Sequence, residues 1–528
     1  MSDSLVARRF ANAREALAVG MSIAFTAGEH PERDAILSEH GDRTFGELNE
    51  RANRLVRALR ARGVGPGAAI ALVCTNRPEF AEVYAAALRG GYRFTCINWH
   101  LKADEIAYIV EDCEAQAFLA DERVAQEAGP AAAGAPSASL RLAIGGPIAG
   151  FESYEEFIAE QPSHDIQDPT RGSAMLYTSG TTGRPKGVYR KTAAAPAQQP
   201  REPRPEPLVR GESLVLCTGP LYHAAPLQIN LTVPLLTGVG VVLMDKWDAE
   251  DTLRLIERHR VTHTHMVATM FHRLLALPKE VRERYDISSL RYVVHGAAPT
   301  PVHVKQALID WLGLIVYEYY AATEGGGTFI TPEEWLRKPG SVGQPNPGRV
   351  VEIRSGDGEL LPTGEIGTVY FTTPEVGAFE YFKAPEKTSS AYLPDKASFT
   401  LGDHGYIDDD GYVFLTGRTS ELIISAGVNI YPAEVDAVLL MHPSVADVAT
   451  VGVPNDEWGE EVKSVVQPAE GIDSSPTLAD DLIRFCRERL ARYKCPRTID
   501  FDPELPRSDA GKIVRRKVRD RYWDSHPL

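Results

Sequence analysis

The residues of this chain with the most evident chemical use stand together at Tyr177 to Val188, YTSGTTGRPKGV, where four Ser/Thr hydroxyls, three glycines and one lysine follow an apolar run. Glycines let backbone N–H groups approach an anion closely, hydroxyls add donors, and a lysine supplies charge. Thr178, Ser179, Gly180, Thr181, Thr182, Gly183 and Lys186 therefore read as a grip for phosphate. The grip is not a Walker A loop, which ends in Gly, Lys and a hydroxyl residue, because Pro185 precedes Lys186 and Gly187 follows it.

Such a grip needs a rigid mount, and the surrounding pattern provides one. Apolar runs at SAMLYTSG, SLVLCTG, GVVLM, LRYVVHG and IVYEYYA each end in small or polar residues, as strands do when their carboxyl ends deliver loops to a common cleft. Upstream, Thr44 and Glu47 form a capping box, and Leu48, Ala52, Leu55, Val56 and Leu59 repeat at helical spacing up to Gly63. AIALVC follows, then a helical pattern from Pro78 to Leu88 stopped by Gly90 and Gly91, then FTCINW. This alternation predicts an α/β protein of packed βα sheets. After GYIDDDGYVFLTGR the pattern restarts as a short strand, a helix near Pro432 and another strand, which places a domain boundary near Gly417 to Ser420. Ala193 to Pro207, with five prolines, reads as a mobile surface loop. No internal repeat is present.

Composition narrows the partners. The 528 residues carry 56 basic and 72 acidic side chains, a net charge of −16, so a polyanion is met by a local site and not by a general field. Nucleic acid and anionic membrane surfaces are disfavoured. Six cysteines without a CxxC pair suit scattered thiols in a reducing compartment. Ser213 to Met244 holds no formally charged residue, yet Pro220, Pro226 and Pro234 with Gly219, Gly238 and Gly240 divide it, so it reads as buried strand, loop and helix instead of a membrane span. With no secretory leader in the first residues, a cytoplasmic location is expected.

The block TSGTTGRPKG resembles the signature of the adenylate-forming superfamily: acyl-CoA synthetases, carrier-protein adenylation domains and firefly-type luciferases. Five further blocks stand in that family's order: PLYHAAP at 220 to 226, HGAAP at 295 to 299, YEYYAATE at 317 to 324, GDHGYIDDDGYVFLTGR at 402 to 418, and PRSDAGKIVRR at 506 to 516. The resemblance implies a large N-terminal domain over 1–418 and a smaller mobile α+β domain over 419–528. It also implies a two-step reaction, in which a carboxylate attacks the α-phosphorus of ATP and a thiol then displaces AMP.

Site roles follow from the same resemblance. Lys512 would bridge the acyl carboxylate and the phosphate; by charge alone, with seven basic and two acidic side chains over 507–521, it would pass for a solvated tail. Thr323 would donate to the α-phosphate, and Glu324 would hold magnesium. Tyr320 would lie against adenine beside a wall of Gly296, Ala297 and Ala298, and Asp403 and Arg418 would bind the ribose hydroxyls. His223 would stand beside the incoming carboxylate, a structural histidine being the alternative; a general base is not needed, because a carboxylate is already ionised. Tyr319, Ala321 and Gly325 fall on the acyl side, with Gly325, Gly326 and Gly327 as a roomy wall and the uncharged 213–244 region as apolar surface. Gly427 falls on the coenzyme A side.

Three positions depart from the family pattern. Glu318 replaces an amide or Asp that reads adenine's amino group, and would still accept its hydrogen bond. Ser420 stands at the hinge without the usual charge, and Ala321 and Ala322 replace the commoner Gly and Met. The chain ends soon after Lys512, which leaves no room for a fused carrier domain and makes free coenzyme A the expected acceptor. The whole is similar to bacterial fatty-acyl-CoA synthetases, implying an AMP-forming ligase for a medium- or long-chain or sterol-derived acid. An aryl-acid CoA ligase, or an enzyme loading a separate carrier protein, is the alternative. The partners expected are a small carboxylic acid, ATP with magnesium, and coenzyme A, with no nucleic acid, no integral membrane segment, and room for a homodimer.

Overall fold

Two parallel sheets built from the apolar runs form the bulk of the molecule. The computed structural model describes residues 10–178, 185–190, 206–297, 300–374, 378–418, 421–425, 428–455, 458–508 and 511–523. The first sheet takes the order Glu152–Ser153, Leu140–Ile144, Ala115–Asp121, Ala69–Val73, Arg93–Ile97, Ser173–Ala174, with every pair parallel. The second has nine strands. Six central ones run parallel in the order Val316–Ala322, Tyr292–His295, His263–Met266, Leu214–Cys217, Gly240–Leu243, Asp34–Leu37. Parallel strands are buried on both faces, and Ala69–Val73, Gly240–Leu243 and Tyr292–His295 are buried throughout.

Helices cover these sheets as their spacing predicts. Thr44 and Glu47 cap the helix Phe45–Ala61 reciprocally, and Leu48, Ala52, Leu55, Val56 and Leu59 are buried on its inner face. Each large side chain so buried is worth about 1.5–3 kcal/mol. The helix Pro78–Gly90 ends on Gly91 in the left-handed region at φ +79°, the usual glycine stop. The uncharged 213–244 segment divides as expected: a strand, a π-helical turn at Pro226–Thr232 continuing into Val233–Thr237, and a second strand. Leu227, Leu231 and Leu235 enter the core shared by both sheets. Among the described residues no helix is long and apolar enough to cross a membrane.

A four-stranded antiparallel sheet, Val351–Arg354, Gly367–Thr372, Ser398–Ile407 and Val413–Arg418, precedes the restart of the pattern. A separate core then forms around Ile423, Val435, Leu439, Val448, Val462 and Leu482. It packs the helix Pro432–Leu439 and the helix Pro476–Arg487 against strands Val445–Asn455 and Gly459–Pro468. The opposite face of those strands receives Val518 of the C-terminal helix Arg515–Trp523. All six cysteines are free and buried.

Candidate active site

Parallel alignment sends the carboxyl ends of four neighbouring strands to one edge of the nine-stranded sheet. From that edge emerge Thr218 to His223, Val267 to Thr269, Gly296 with Ala297, and Thr323 with Glu324. Ala297 takes φ +67°, left-handed backbone that non-glycine residues avoid. Such a conformation persists where surroundings enforce it, commonly at binding sites.

Asp403 and Arg418 are cross-strand partners, so their fifteen-residue separation in sequence closes to direct contact. Arg418 Nε donates to Asp403 Oδ1 at 3.1 Å, and the Tyr320 hydroxyl donates to Asp403 Oδ2 at 2.5 Å. Burial and the Asp403 charge push the Tyr320 phenol well up, so it stays a donor. Thr323 and Glu324 form a two-residue hairpin between Val316–Ala322 and Gly325–Ile330. Arg190 Nη2 donates to the Thr323 carbonyl at 2.8 Å, and the Tyr381 hydroxyl donates to Glu324 Oε1 at 2.9 Å. Lys186 lies over the Tyr381 ring at 4.9 Å, its ammonium pulled down by burial and by Lys387. Cationic and carboxylate groups from four sequence regions thus gather where a phosphate chain with a bound cation could sit. Among the described residues no three His, Cys, Asp or Glu side chains group to hold a metal.

The C-terminal unit reaches this edge through the loop around Lys512. A Cβ built on Gly511 would lie 2.9 Å from Thr269 Oγ1, so this loop rests directly on the large unit. Its flanks are anchored inside the small unit: Arg507 pairs with Asp447, and Arg515 pairs with Asp436 and Glu421. Arg519 and Arg521 pair with Glu460 and Asp502. Lys512, by contrast, forms no ion pair among the described residues. It keeps exposed surface, yet burial first and Arg418 second depress its ammonium to about 8, with Asp403 opposing.

The acyl side of the sheet differs from expectation. His223 opens the turn before the π-helical segment, its carbonyl accepting from Leu227 N. The Tyr319 hydroxyl and His265 Nε2 are 3.0 Å apart. Burial, reinforced by Lys512, drops His265 to about 4, leaving the imidazole neutral. Ala321 continues the same strand face. Gly325 to Gly327 do not form a roomy wall. Cβ atoms at Gly325 and Gly326 would meet Phe399 and Phe371 at 3.3 and 3.0 Å, and both glycines take positive φ. They are close-packed residues at the start of the strand Gly325–Ile330.

Glu318 is engaged within the protein: its Oε2 accepts a 2.6 Å hydrogen bond from Lys305, whose side chain is fully buried, and His295 lies 3.6 Å away. The pair ties the helix Val302–Leu312 to the strand Val316–Ala322.

Ser179, Gly180, Thr181, Thr182, Gly183, Ala298, Ser420 and Gly427 lie outside the described residues, as does most of the proline-rich stretch. Four residues were not legible as parts of this site: Arg190, His265, Lys305 and Tyr381. A lone Lys or His on a strand or helix carries no spacing signal; Arg190, four residues beyond Lys186 in the same strand, was the one within reach of a motif.

Two family models match the chain, "AMP-binding enzyme" over residues 23–379 and "AMP-binding enzyme C-terminal domain" over 434–512. The chain is 32% identical to a fatty acid–[acyl-carrier-protein] ligase of Streptomyces coeruleorubidus, over 94% of this chain and 95% of that one. It is 33% identical to a feruloyl-CoA synthase of an Amycolatopsis species, over 94% and 99%. Its fold is similar to that of ATP-bound MatB from Rhodopseudomonas palustris, at TM-score 0.81 and 27% identity, over 96% and 100% of the two chains.

Proposed function

The chain belongs to the AMP-binding enzyme family and is an acid–thiol ligase, and from that premise we propose that one cleft joins ATP to a small carboxylic acid under the Lys512 loop, after which coenzyme A takes the acyl group. The observation that supports this most is the Lys512 loop itself. Its arginines are neutralised within the small unit while, among the described residues, its lysine has no ion-pair partner and faces Arg418, Asp403 and His265.

In this reading Asp403 and Arg418 hold the ribose, with Tyr320 fixing Asp403 and presenting its ring to adenine. Thr323 and Lys186 donate to phosphate oxygens. Glu324 is the residue that would hold a magnesium ion, which would offset charge on the phosphates. His223 orients the acid's carboxylate, which needs no base. As the carboxylate oxygen attacks the α-phosphorus, negative charge grows between two anions, and the Lys512 ammonium is the group placed to absorb it. Pyrophosphate leaves, and the small unit, which we divide from the large one at 418 and 419, swings away to admit the thiol.

Acid-dependent ATP–pyrophosphate exchange tests the first step, and thioester formation from preformed acyl-adenylate the second. Lys512→Ala lowers exchange by about 100-fold, the scale of losing one transition-state charge contact, while transfer from preformed adenylate to coenzyme A persists. Equal loss of both steps removes the bridging role. A carrier-loading enzyme differs by full exchange with little turnover on free coenzyme A.

A further inference from the structure

This sheet face carries aromatic rings with polar ends, set among the aliphatic Val215, Ile229 and Val294. The alternation of side chains along parallel strands puts His263 and His265, then Tyr292, then Tyr317 and Tyr319 on the face beneath the π-helical turn. Tyr292 and Tyr317 stack at 4.6 Å and 25°, and Phe329 extends the stack at 5.9 Å and 17°. Tyr319 lies across Gly296 to reach His265 two strands away; a Cβ on Gly296 would come within 2.7 Å of its ring. Of the turn's apolar residues, Leu227 and Leu231 belong to the shared core, and Ile229 packs on Tyr292, Val294 and Tyr317 of this face.

Beneath this surface lies a cavity of about 20 Å³ bordered by Asn230, His263, Tyr292, Val294 and Ile229. That is room for one water-sized group. Asn230 is fully buried, and among the described residues neither its amide oxygen nor its amide nitrogen is hydrogen-bonded; the Cys217 thiol beside it is a weak partner at most. A buried amide left unsatisfied is destabilising and is found where something else completes it. It also sits within a π-helical turn, a distortion frequent at functional sites. His263 cannot complete it, since its ring nitrogens are engaged by the Thr262 hydroxyl and the Glu206 carbonyl.

Length decides what fits. His265 stands at the Lys512 end and His263 two residues deeper in the same strand, about 7 Å at strand rise. That span suits one aromatic ring with its substituent. Resting on the ligase reading above, we infer that the acid is a planar aromatic carboxylic acid carrying a hydroxyl or amino group on the ring edge remote from the carboxylate, received by the Asn230 amide.

The experiment is pyrophosphate exchange by the full-length enzyme and its Asn230→Leu variant with 4-hydroxybenzoate, 4-aminobenzoate, 4-hydroxycinnamate, their unsubstituted parents, octanoate and dodecanoate. Wild type favours a hydroxylated or aminated acid over its parent by about 10-fold or more in kcat/KM, as expected when a site built to hydrogen-bond is offered an analogue lacking the group. Both aliphatic acids are poorer still. Asn230→Leu brings the members of each pair to the same kcat/KM, and its unfolding midpoint at or above wild type verifies the fold. Strongest exchange with octanoate or dodecanoate overturns the inference and leaves the ligase reading standing, as does equality of the pairs in wild type or a preference that survives Asn230→Leu. Exchange with no acid of the panel defeats both.

Discussion

At Lys512 the balance of burial and the Arg418 guanidinium against Asp403 sets the ammonium near 8. Only the protonated form carries the charge that adenylation uses, so kcat/KM for pyrophosphate exchange falls as pH rises through about 8. Lys512→Arg, whose guanidinium stays charged far above that range, loses this alkaline limb even if its longer reach lowers the plateau. A pH–rate series from 6.5 to 9.5 on both proteins, roughly bracketing that value, checks it; an unchanged limb in the arginine variant assigns the titration elsewhere. His265, at about 4, contributes nothing over this interval.

At the scale of elements, the Lys305–Glu318 bridge holds a helix to the strand that carries Tyr319, Tyr320 and the Thr323–Glu324 turn. Lys305 also lies 4.9 Å over the Trp335 ring. Lys305→Met leaves a buried carboxylate uncompensated, a loss of about 3–5 kcal/mol when one partner of such a pair is removed. Denaturant unfolding should show a lower midpoint for Lys305→Met, and recovery in Lys305→Met/Glu318→Leu, where no charge is left to strand. Elements of this kind were partly legible from the chain. Thr44 with Glu47, Pro432 and the small residues after SLVLC marked boundaries that the structure keeps. Which strands lie side by side was not, because periodicity is local and adjacency is a tertiary property. Tyr292–His295 lies between His263–Met266 and Val316–Ala322, and it is this order that makes partners of His265 and Tyr319 across two strands.

For the molecule as a whole, the contact of Gly511 with Thr269 captures the small unit docked on the large one, with Lys512 over the cleft. Gly511 takes φ +75°, so a larger residue there meets both strained backbone and Thr269. Gly511→Val therefore lowers pyrophosphate exchange by about 10-fold or more, while acyl transfer from preformed adenylate, for which we propose that the small unit swings away, is retained. Stopped assays of the two half-reactions separate these outcomes, and a parallel loss in both marks the docked pose as irrelevant to the first. The depressed Lys512 carries a consequence beyond the chemical step. Near pH 8 a share of molecules holds this nitrogen uncharged; a triphosphate entering beside it reverses the local field and favours the charged state. Capture of nucleotide and withdrawal of a hydrogen ion from the medium are then a single thermodynamic event, and alkalinity weakens the enzyme's hold on ATP before it touches catalysis.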